Sequence, residues 1–362
     1  MSTLYVVQQN TRIRIRNRRV QVERDLTAEA ERRIAAQPSL IQEEISGSGP
    51  QPQRSEVLTS VPLGQVTQVA LFGNISLTTP AIDALLAQDC EVVFLSQNGE
   101  YRGRLIGNVT PHVPVRRAQY ACLNKPEQLL EMAKGFVTAK MQHQRVLLQR
   151  HSREERSETA LASIAHLDRA LDAVPHKTTL ESLRGLEGAS TAAYFAAYRS
   201  FFSAEWKFID RNRRPPADPV NVLLSFGYTL LAQAASGAAQ TVGLDPFVGF
   251  LHEYVYNRPA LALDLMEEFR PMIDGVVLWA CRGKQLTPTG DFTPGPPERP
   301  IILDDDGKRR FLQAYEQRME QTYTHPVRGL KFTLRQCLIE QARQVSDCLL
   351  TGSSNYRGMG FR

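Results

Sequence analysis

Four side chains of the oxygen-and-imidazole type, Glu187, His252, Asp264 and Glu267, are spread along the second half of this chain, and an arginine-proline segment, Arg211-Asn-Arg-Arg-Pro-Pro-Ala-Asp-Pro-Val-Asn221, falls between the first two. One imidazole and a few carboxylates make a seat for a hard cation such as Mg²⁺ or Mn²⁺. Guanidinium groups grip phosphate bidentately. Together they point to metal-dependent chemistry on a nucleic-acid phosphodiester.

Each residue also has a plainer reading. Asp264 and Glu267 stand three apart in Leu261-Ala-Leu-Asp-Leu-Met-Glu-Glu-Phe269, so on a helix they share a face, as paired ligands or as a solvated acidic face beside Arg270. His252, in Gly249-Phe-Leu-His-Glu253, reads as a ligand or as a histidine packed at a helix end. Glu187 precedes Gly188, whose missing side chain lets a substrate or a backbone approach, and an ordinary helix glutamate looks the same. Arg211, Arg213 and Arg214 precede Pro215-Pro216, which stiffens either a phosphate-binding loop or a solvent-facing basic one. Ser225 and Tyr228 read as helix core, and His143 and His151 as part of a basic helix face. The chain holds no Walker loop, no GxSxG and no HExxH.

The elements that must position these residues fall into two blocks. Leu4–Val7, the alternating Arg12-Ile-Arg-Ile-Arg16, Val20–Val22, Val66–Phe72, Glu91–Leu95 and Tyr101–Ile106 read as strands. The arginines of the alternating strand lie on one face, against phosphate or as the solvent face of a sheet edge. Thr79 and Pro80 read as N-cap and first residue of a helix running to Gln88. Residues 25–55 are polar and read as a surface insertion. The pattern turns helical after Ala118: Pro126–Arg150, Ser157–Leu171, Gly188–Phe202, Pro219–Gly237, Val248–Tyr254, Leu261–Phe269, Pro271–Trp279, Lys308–Thr322 and Thr324–Thr351 are the expected helices. Residues 283–306 read as a long loop with a short hairpin near Asp291-Phe-Thr293, and Asn355–Arg362 as a flexible tail. The expected fold is α+β: a small N-terminal β domain over 1–107 and a larger all-α catalytic domain over 108–362.

The totals exclude several classes. The 362 residues, 42% hydrophobic, suit a globular protein of two domains. No uninterrupted apolar run of about 18 residues predicts a membrane span, and the N-terminus lacks the charge order of a secretion signal, so a cytoplasmic protein is expected. The net charge of +5, from 43 basic and 38 acidic residues, is weak support for nucleic acid. Five cysteines at 90, 122, 281, 337 and 348, with no CxxC, argue for reduced thiols rather than disulfides or structural zinc.

Several blocks, in order, carry a resemblance to a known family: Val69–Pro80 as VALFGNISLTTP, Val92–Ser96, Leu186-Glu-Gly188, Arg213–Tyr228 as RRPPADPVNVLLSFGY, Asp245–His252, and Leu263–Pro271 as LDLMEEFRP. The chain resembles the CRISPR-associated endonuclease of the first Cas family, the integrase of spacer acquisition, over nearly its whole length. The resemblance implies an N-terminal β-rich dimerisation domain and an α-helical catalytic domain. It implies that Glu187, His252 and Glu267 hold Mg²⁺ or Mn²⁺ and are catalytic. Asp264 matches a companion acid one turn earlier, a supporting or alternate ligand, and Arg270 a basic residue facing DNA alongside Arg211, Arg213 and Arg214. The implied reaction is attack of a DNA 3′-hydroxyl on a phosphodiester of a CRISPR repeat, in antiviral defence. The implied partners are double-stranded DNA (prespacer and repeat), a second copy of the chain, and a small ferredoxin-like protein of the second Cas family. A structure-selective nuclease acting on branched DNA in repair is the alternative reading of the same ligand set. The 25–55 insertion and the acidic stretch Asp304-Asp-Asp306 have no match in the simplest family pattern.

Overall fold

The structure is a computed structural model that describes residues 2–26, 55–107, 112–152, 157–212 and 215–360. The chain divides into two compact units, Met1–Asn108 and Val109–Arg362.

The first unit holds strands β1 (Ser2–Val6), β2 (Thr11–Arg16), β3 (Arg19–Asp25), β4 (Ser55–Pro62), β5 (Val66–Phe72), β6 (Ile75–Leu77), β7 (Glu91–Leu95) and β8 (Tyr101–Leu105), with helix α1 (Thr79–Leu86). They form two four-stranded sheets, in the orders β1-β5-β7-β8 and β4-β3-β2-β6. Alternation drives this arrangement, since residues two apart share a sheet face. Ile13, Val20 and Val22 from one sheet and Val69, Leu71 and Val92 from the other join Leu85 in a single buried core. Strand β2 lies between β3 and β6, so its arginines are not on a sheet edge. Arg14 and Arg16 instead reach Glu23, at 3.7 and 3.6 Å. The cap of α1 is Thr78, one residue earlier than expected, because the backbone turns helical at Thr79. Most of the polar insertion, residues 27–54, lies outside the described residues.

The second unit is helical, with α2 (Val113–Cys122), α3 (Pro126–Ser152), α4 (Glu158–Ala173), α5 (Leu180–Arg199), α6 (Pro219–Thr241), α7 (Ala260–Glu267), α8 (Arg270–Arg282), α9 (Asp305–Met319) and α10 (Leu334–Thr351). Two short hairpins interrupt them, β9 (Phe292–Pro294) with β10 (Ile301–Leu303) and β11 (Thr322–Thr324) with β12 (Lys331–Thr333). The acidic stretch starts α9: Asp304 caps it, accepting from Gly307 N at 2.6 Å. Helix α6 is the one helix among the described residues long and apolar enough to cross a membrane, yet 56% of its most apolar window is buried inside the unit. It is the central core helix, capped by Asp218 and opened by Pro219. All five cysteines are free and buried.

Three helical expectations change, and so does that for the tail. Helix α5 starts at Leu180, not Gly188, because Thr179 caps it by accepting from Ser182 N at 3.2 Å. Glu187 therefore stands two turns inside a helix. Residues 248–254 are not helical, because the carboxylate of Asp264 takes their backbone amides. The expected helix from Thr324 is a hairpin first: Pro326 and Gly329 (φ +68) turn the chain, and α10 begins only at the Thr333/Gln336 capping box. The tail Asn355–Arg362, expected to be flexible, is packed into the unit over its described residues 355–360, with Tyr356 and Met359 buried.

Candidate metal and phosphodiester site

Helices α3, α5 and α7 bring Lys140, Glu187 and Glu267 together. The ammonium of Lys140 contacts the carboxylate of Glu187 and lies 2.6 Å from Glu267 Oε2. Glu267 Oε1 lies 3.0 Å from Arg270 and 3.7 Å from His252 Nε2. Sequence spacing could not show this, because the helices are joined only by packing. Glu187 is 23% exposed and His252 18%, whereas Lys140 is 5%, Glu267 4% and Asp264 0%. The cluster therefore opens to solvent on the Glu187–His252 side.

Asp264 holds His252 from the side of the ring opposite to Glu267, at Nδ1 rather than Nε2. Its Oδ1 accepts from the His252 backbone amide at 3.0 Å and lies 2.6 Å from the ring Nδ1. Its Oδ2 accepts from Phe250 N at 2.5 Å and Leu251 N at 3.0 Å. A carboxylate taking Nδ1–H leaves Nε2 as the ring's free donor atom, which is how metal-binding histidines are oriented. Gly249 makes room for it: a Cβ there would lie 2.7 Å from Asp264 Oδ2 and 2.7 Å from the Ala260 carbonyl carbon.

Burial acts to raise the Glu267 carboxyl, but the charges of Arg270, Lys140 and His252 outweigh it and hold it at about 2, against an ordinary 4.5. Its Oε2 is held by the Lys140 ammonium at 2.6 Å. Among the described residues no three His, Cys, Asp or Glu side chains converge closely enough to cage an ion as they stand. The reason is visible in the geometry, since Lys140 sits where its positive charge satisfies both carboxylates. A buried, ionised glutamate, a second glutamate across the same ammonium, and a histidine whose Nε2 is turned toward them are a donor set that fits Mg²⁺ or Mn²⁺.

Beside this cluster lies a cavity of about 280 Å³ lined by Lys140, Arg211 and Arg270, with Thr191, Gln144 and Tyr228 among its polar walls. Gly188 also lines it, and a Cβ there would meet nothing within 4 Å, so this side of α5 is open. Arg211 is fixed by Asn221 Oδ1 at 2.7 Å and Ser225 Oγ at 3.1 Å, and its guanidinium lies 5.5 Å from the Tyr228 ring. That of Arg270 lies 4.8 Å from the same ring. Asn221, held by Asp218 at 2.8 Å, also receives Asn212 N at 3.0 Å, which locks the proline-rich loop onto α6. Arg213 and Arg214 lie outside the described residues. Tyr228 and Tyr194 donate to the buried Asp274, the latter at 2.8 Å. Burial raises Asp274 to about 6 despite these donors and the two arginines.

The sequence reading missed Lys140, the role of Asp218 and Asn221, and the support behind α7. Glu268, next to Glu267, is fully buried and takes donors from Tyr356 OH, Met359 N (2.5 Å) and Gln341 Nε2 (2.7 Å). Its backbone oxygen accepts from His143 Nδ1 at 2.6 Å, so His143 belongs to the core and not to a basic face. Burial raises the Glu268 carboxyl to about 7, with the donors opposing. The segment 353–360 thus straps α3 to α7. Its ring Tyr356 stands 4.5 Å from Phe136, and Arg357 N donates to Gln344 at 2.9 Å.

The family model of CRISPR associated protein Cas1 matches residues 4–317. The chain belongs to the Cas1 family. It is 37% identical over 312 residues to CRISPR-associated endonuclease Cas1 3 of Thermus thermophilus, covering 85% of this chain and 90% of that one. It is 40% identical over 297 residues to a CRISPR-associated exonuclease Cas4/endonuclease Cas1 fusion of Geobacter sulfurreducens, 79% of this chain and 52% of the fusion. The chain therefore spans about half the length of such fused relatives. The fold is shared with a casposase bound to integration product (TM-score 0.79, 20% identity, 99% of this chain and 93% of that one) and with a Cas1 protein from Thermotoga maritima (TM-score 0.74, 20% identity, 99% and 100%). The α+β fold read from the sequence is that of the family.

Proposed function

We propose that this Cas1-family chain is a divalent-metal-dependent DNA endonuclease and integrase that inserts short DNA fragments into a CRISPR repeat array, as part of antiviral defence. The observation that carries it is the pairing of Glu187 and Glu267 across one ammonium, with the Asp264-oriented imidazole of His252 alongside. Relatives at 37–40% identity are named as CRISPR-associated endonucleases or fusions containing one.

In this reading Glu187, Glu267 and His252 Nε2 hold Mg²⁺ or Mn²⁺, and Asp264 keeps His252 in the tautomer that offers Nε2. The bound cation supplies Lewis-acid stabilisation of the charge that builds on the phosphoryl oxygens. Lys140, which pairs with both carboxylates and also lines the adjoining cavity, would offer its ammonium to a phosphate there if a cation held the two acids. Arg211, fixed by Asn221 and Ser225, and Arg270, which also pairs with Glu267 at 3.0 Å, would present guanidinium groups stacked on Tyr228 to the same phosphate. A DNA 3′-hydroxyl attacks phosphorus, the new P–O bond forms as the old one breaks, and the leaving strand keeps its own 3′-oxygen. Water in place of that hydroxyl gives strand cleavage. DNA, a second copy of the chain and a small Cas2-type partner are its proposed partners. A chain of the same fold occurs in a Cas6-RT-Cas1–Cas2 complex (TM-score 0.75, 22% identity, 100% of this chain and 36% of that one).

The test is strand transfer of a short duplex into a repeat-bearing plasmid, with branched DNA as a parallel substrate. Glu187→Ala and His252→Ala are expected to lose transfer in Mg²⁺ and Mn²⁺ while staying folded. Full activity in either variant removes the site from the reaction. Cleavage of branched DNA without any transfer gives the repair-type nuclease instead.

A further inference from the structure

The wall of the arginine-lined cavity holds one buried acceptor that the protein itself does not use. Gln144 stands one turn after Lys140 on α3 and lines the same cavity. It is 2% exposed, and its Oε1 has no hydrogen-bond partner among the described residues. A buried amide oxygen left without a donor is costly, so its retention calls for a physical reason. The acids around it are engaged. Asp274 receives Tyr228 and Tyr194, and Asp210 receives Arg211 N at 2.6 Å. Glu187 takes Thr191 Oγ1 at 2.9 Å as well as Lys140. What the cavity otherwise offers is donors, Lys140, Arg211 and Arg270. The buried Nε of Arg270 lacks an acceptor, while its Nη2 lies 3.0 Å from Glu267.

An unused donor and an unused acceptor in one cavity define what a ligand must bring. The donors call for the oxygens of a phosphate. The acceptor calls for a hydrogen. The sugar-phosphate backbone of an unbroken DNA strand has none to give, because every 3′- and 5′-oxygen in it is esterified. A strand end has one, at its 3′-hydroxyl. Side chains four apart on a helix are neighbours, with Cβ atoms roughly 5–6 Å apart. Gln144 is thus the neighbour of the lysine whose ammonium holds Glu187 and Glu267. A hydroxyl at Gln144 and a phosphate at the arginines share one chamber of about 280 Å³.

We propose that Gln144 Oε1 accepts a hydrogen bond from the 3′-hydroxyl of the attacking DNA strand and turns that oxygen toward the phosphodiester held by Arg211 and Arg270. The inference rests on the proposed strand-transfer reaction and adds the residue that orients its nucleophile. An amide is not a base, so Gln144 takes the hydrogen bond and not the proton. As the new P–O bond forms, the hydroxyl proton passes to water. The 3′-oxygen released by the broken P–O bond takes a proton back. What Gln144 contributes is alignment of the reacting oxygen.

The experiment uses the full chain with Ca²⁺ as a non-reactive cation, and duplexes whose 3′ ends carry a hydroxyl, a hydrogen or a fluorine. Wild type is expected to bind the hydroxyl end ~3- to 10-fold more tightly than the other two, the span of one hydrogen bond. Fluorine cannot donate, so a fluoro end bound as tightly as the hydroxyl end overturns the proposal without any variant. Gln144→Met, similar in shape but without the amide oxygen, is expected to erase the preference and to keep the affinity for the 3′-deoxy end. Gln144→Glu, which keeps an acceptor, is expected to retain the preference. A residue that only supports the fold weakens all three ends alike, and the cycle between side chain and end group then shows no coupling. That result overturns the proposal. So does a Glu variant that behaves as Met does, which assigns the amide N–H to phosphate instead. In Mg²⁺, strand transfer by Gln144→Met should fall about 10- to 100-fold while Mn²⁺ affinity stays at the wild-type value. Wild-type transfer in that variant equally overturns the role. Because the end-group preference is read without reaction, a wild type that shows it but transfers no strand overturns the proposed reaction and leaves the contact standing.

Discussion

Asp264 Oδ1 touches His252 twice, at the ring Nδ1 (2.6 Å) and at the backbone amide (3.0 Å), so one buried carboxylate fixes both where the imidazole is and which way it faces. Losing a carboxylate behind a ligating histidine commonly weakens metal binding by about 10- to 100-fold. Asp264→Asn is expected to show that loss for Mn²⁺ by titration calorimetry, with strand transfer falling in step. Wild-type Mn²⁺ affinity in this variant would show that His252 is not a ligand.

Lys140→Met should separate the metal-free protein from the loaded one. Without the ammonium, Glu187 and Glu267 face each other, and removing one partner of a buried ion pair costs about 3–5 kcal/mol. A divalent cation at about 100 times its Kd returns about 2.7 kcal/mol by mass action. Thermal unfolding should therefore show a large deficit in EDTA that narrows in Mg²⁺. An equal deficit in both buffers contradicts a shared seat for Lys140 and the cation.

His143 sets a pH dependence. Burial lowers it to about 4 from 6.5, against backbone hydrogen bonds to Glu268 and Met359 that favour the charged form. It folds neutral, so its contribution is complete above pH 6.5 and is lost as pH falls towards 4. The span corresponds to about 3 kcal/mol. His143→Gln should flatten the stability profile between pH 6.5 and 4 relative to wild type in urea titrations. A variant profile parallel to wild type across that window assigns the acid sensitivity elsewhere.

The strap over α7 should matter to the site without touching it. Tyr356→Phe removes a donor from the buried Glu268 and is expected to cost about 1–3 kcal/mol. Gly358→Ala is more severe in geometry, since its Cβ would lie 2.5 Å from that of Ala139 and 2.7 Å from Gly135 O. Hydrogen exchange should show residues 353–360 and α7 loosening together in Gly358→Ala, with Mn²⁺ binding weakened. Fast exchange of the strap with unchanged exchange in α7 would uncouple the two.

The sequence by itself determined the period-two strands of the first unit, the long helices of the second, and the residue types of the site. Strand and helix periods are local properties, and motif blocks such as Leu263–Pro271 keep their ligands in fixed local spacing. Where local signals competed with distant side chains, the distant ones won. Residues 248–254 have helical composition, yet Asp264 captures their amides, and a backbone N–H satisfied by a carboxylate cannot close a helical turn. The tail composition looked unstructured until Glu268 supplied a buried acceptor for it. Lys140 had no motif at all, because a lysine on a long amphipathic helix is ordinary until packing sets it between two carboxylates. Only the tertiary structure decided that, since helices α3, α5 and α7 meet through their apolar faces, and which charged side chains then confront one another is fixed by that packing.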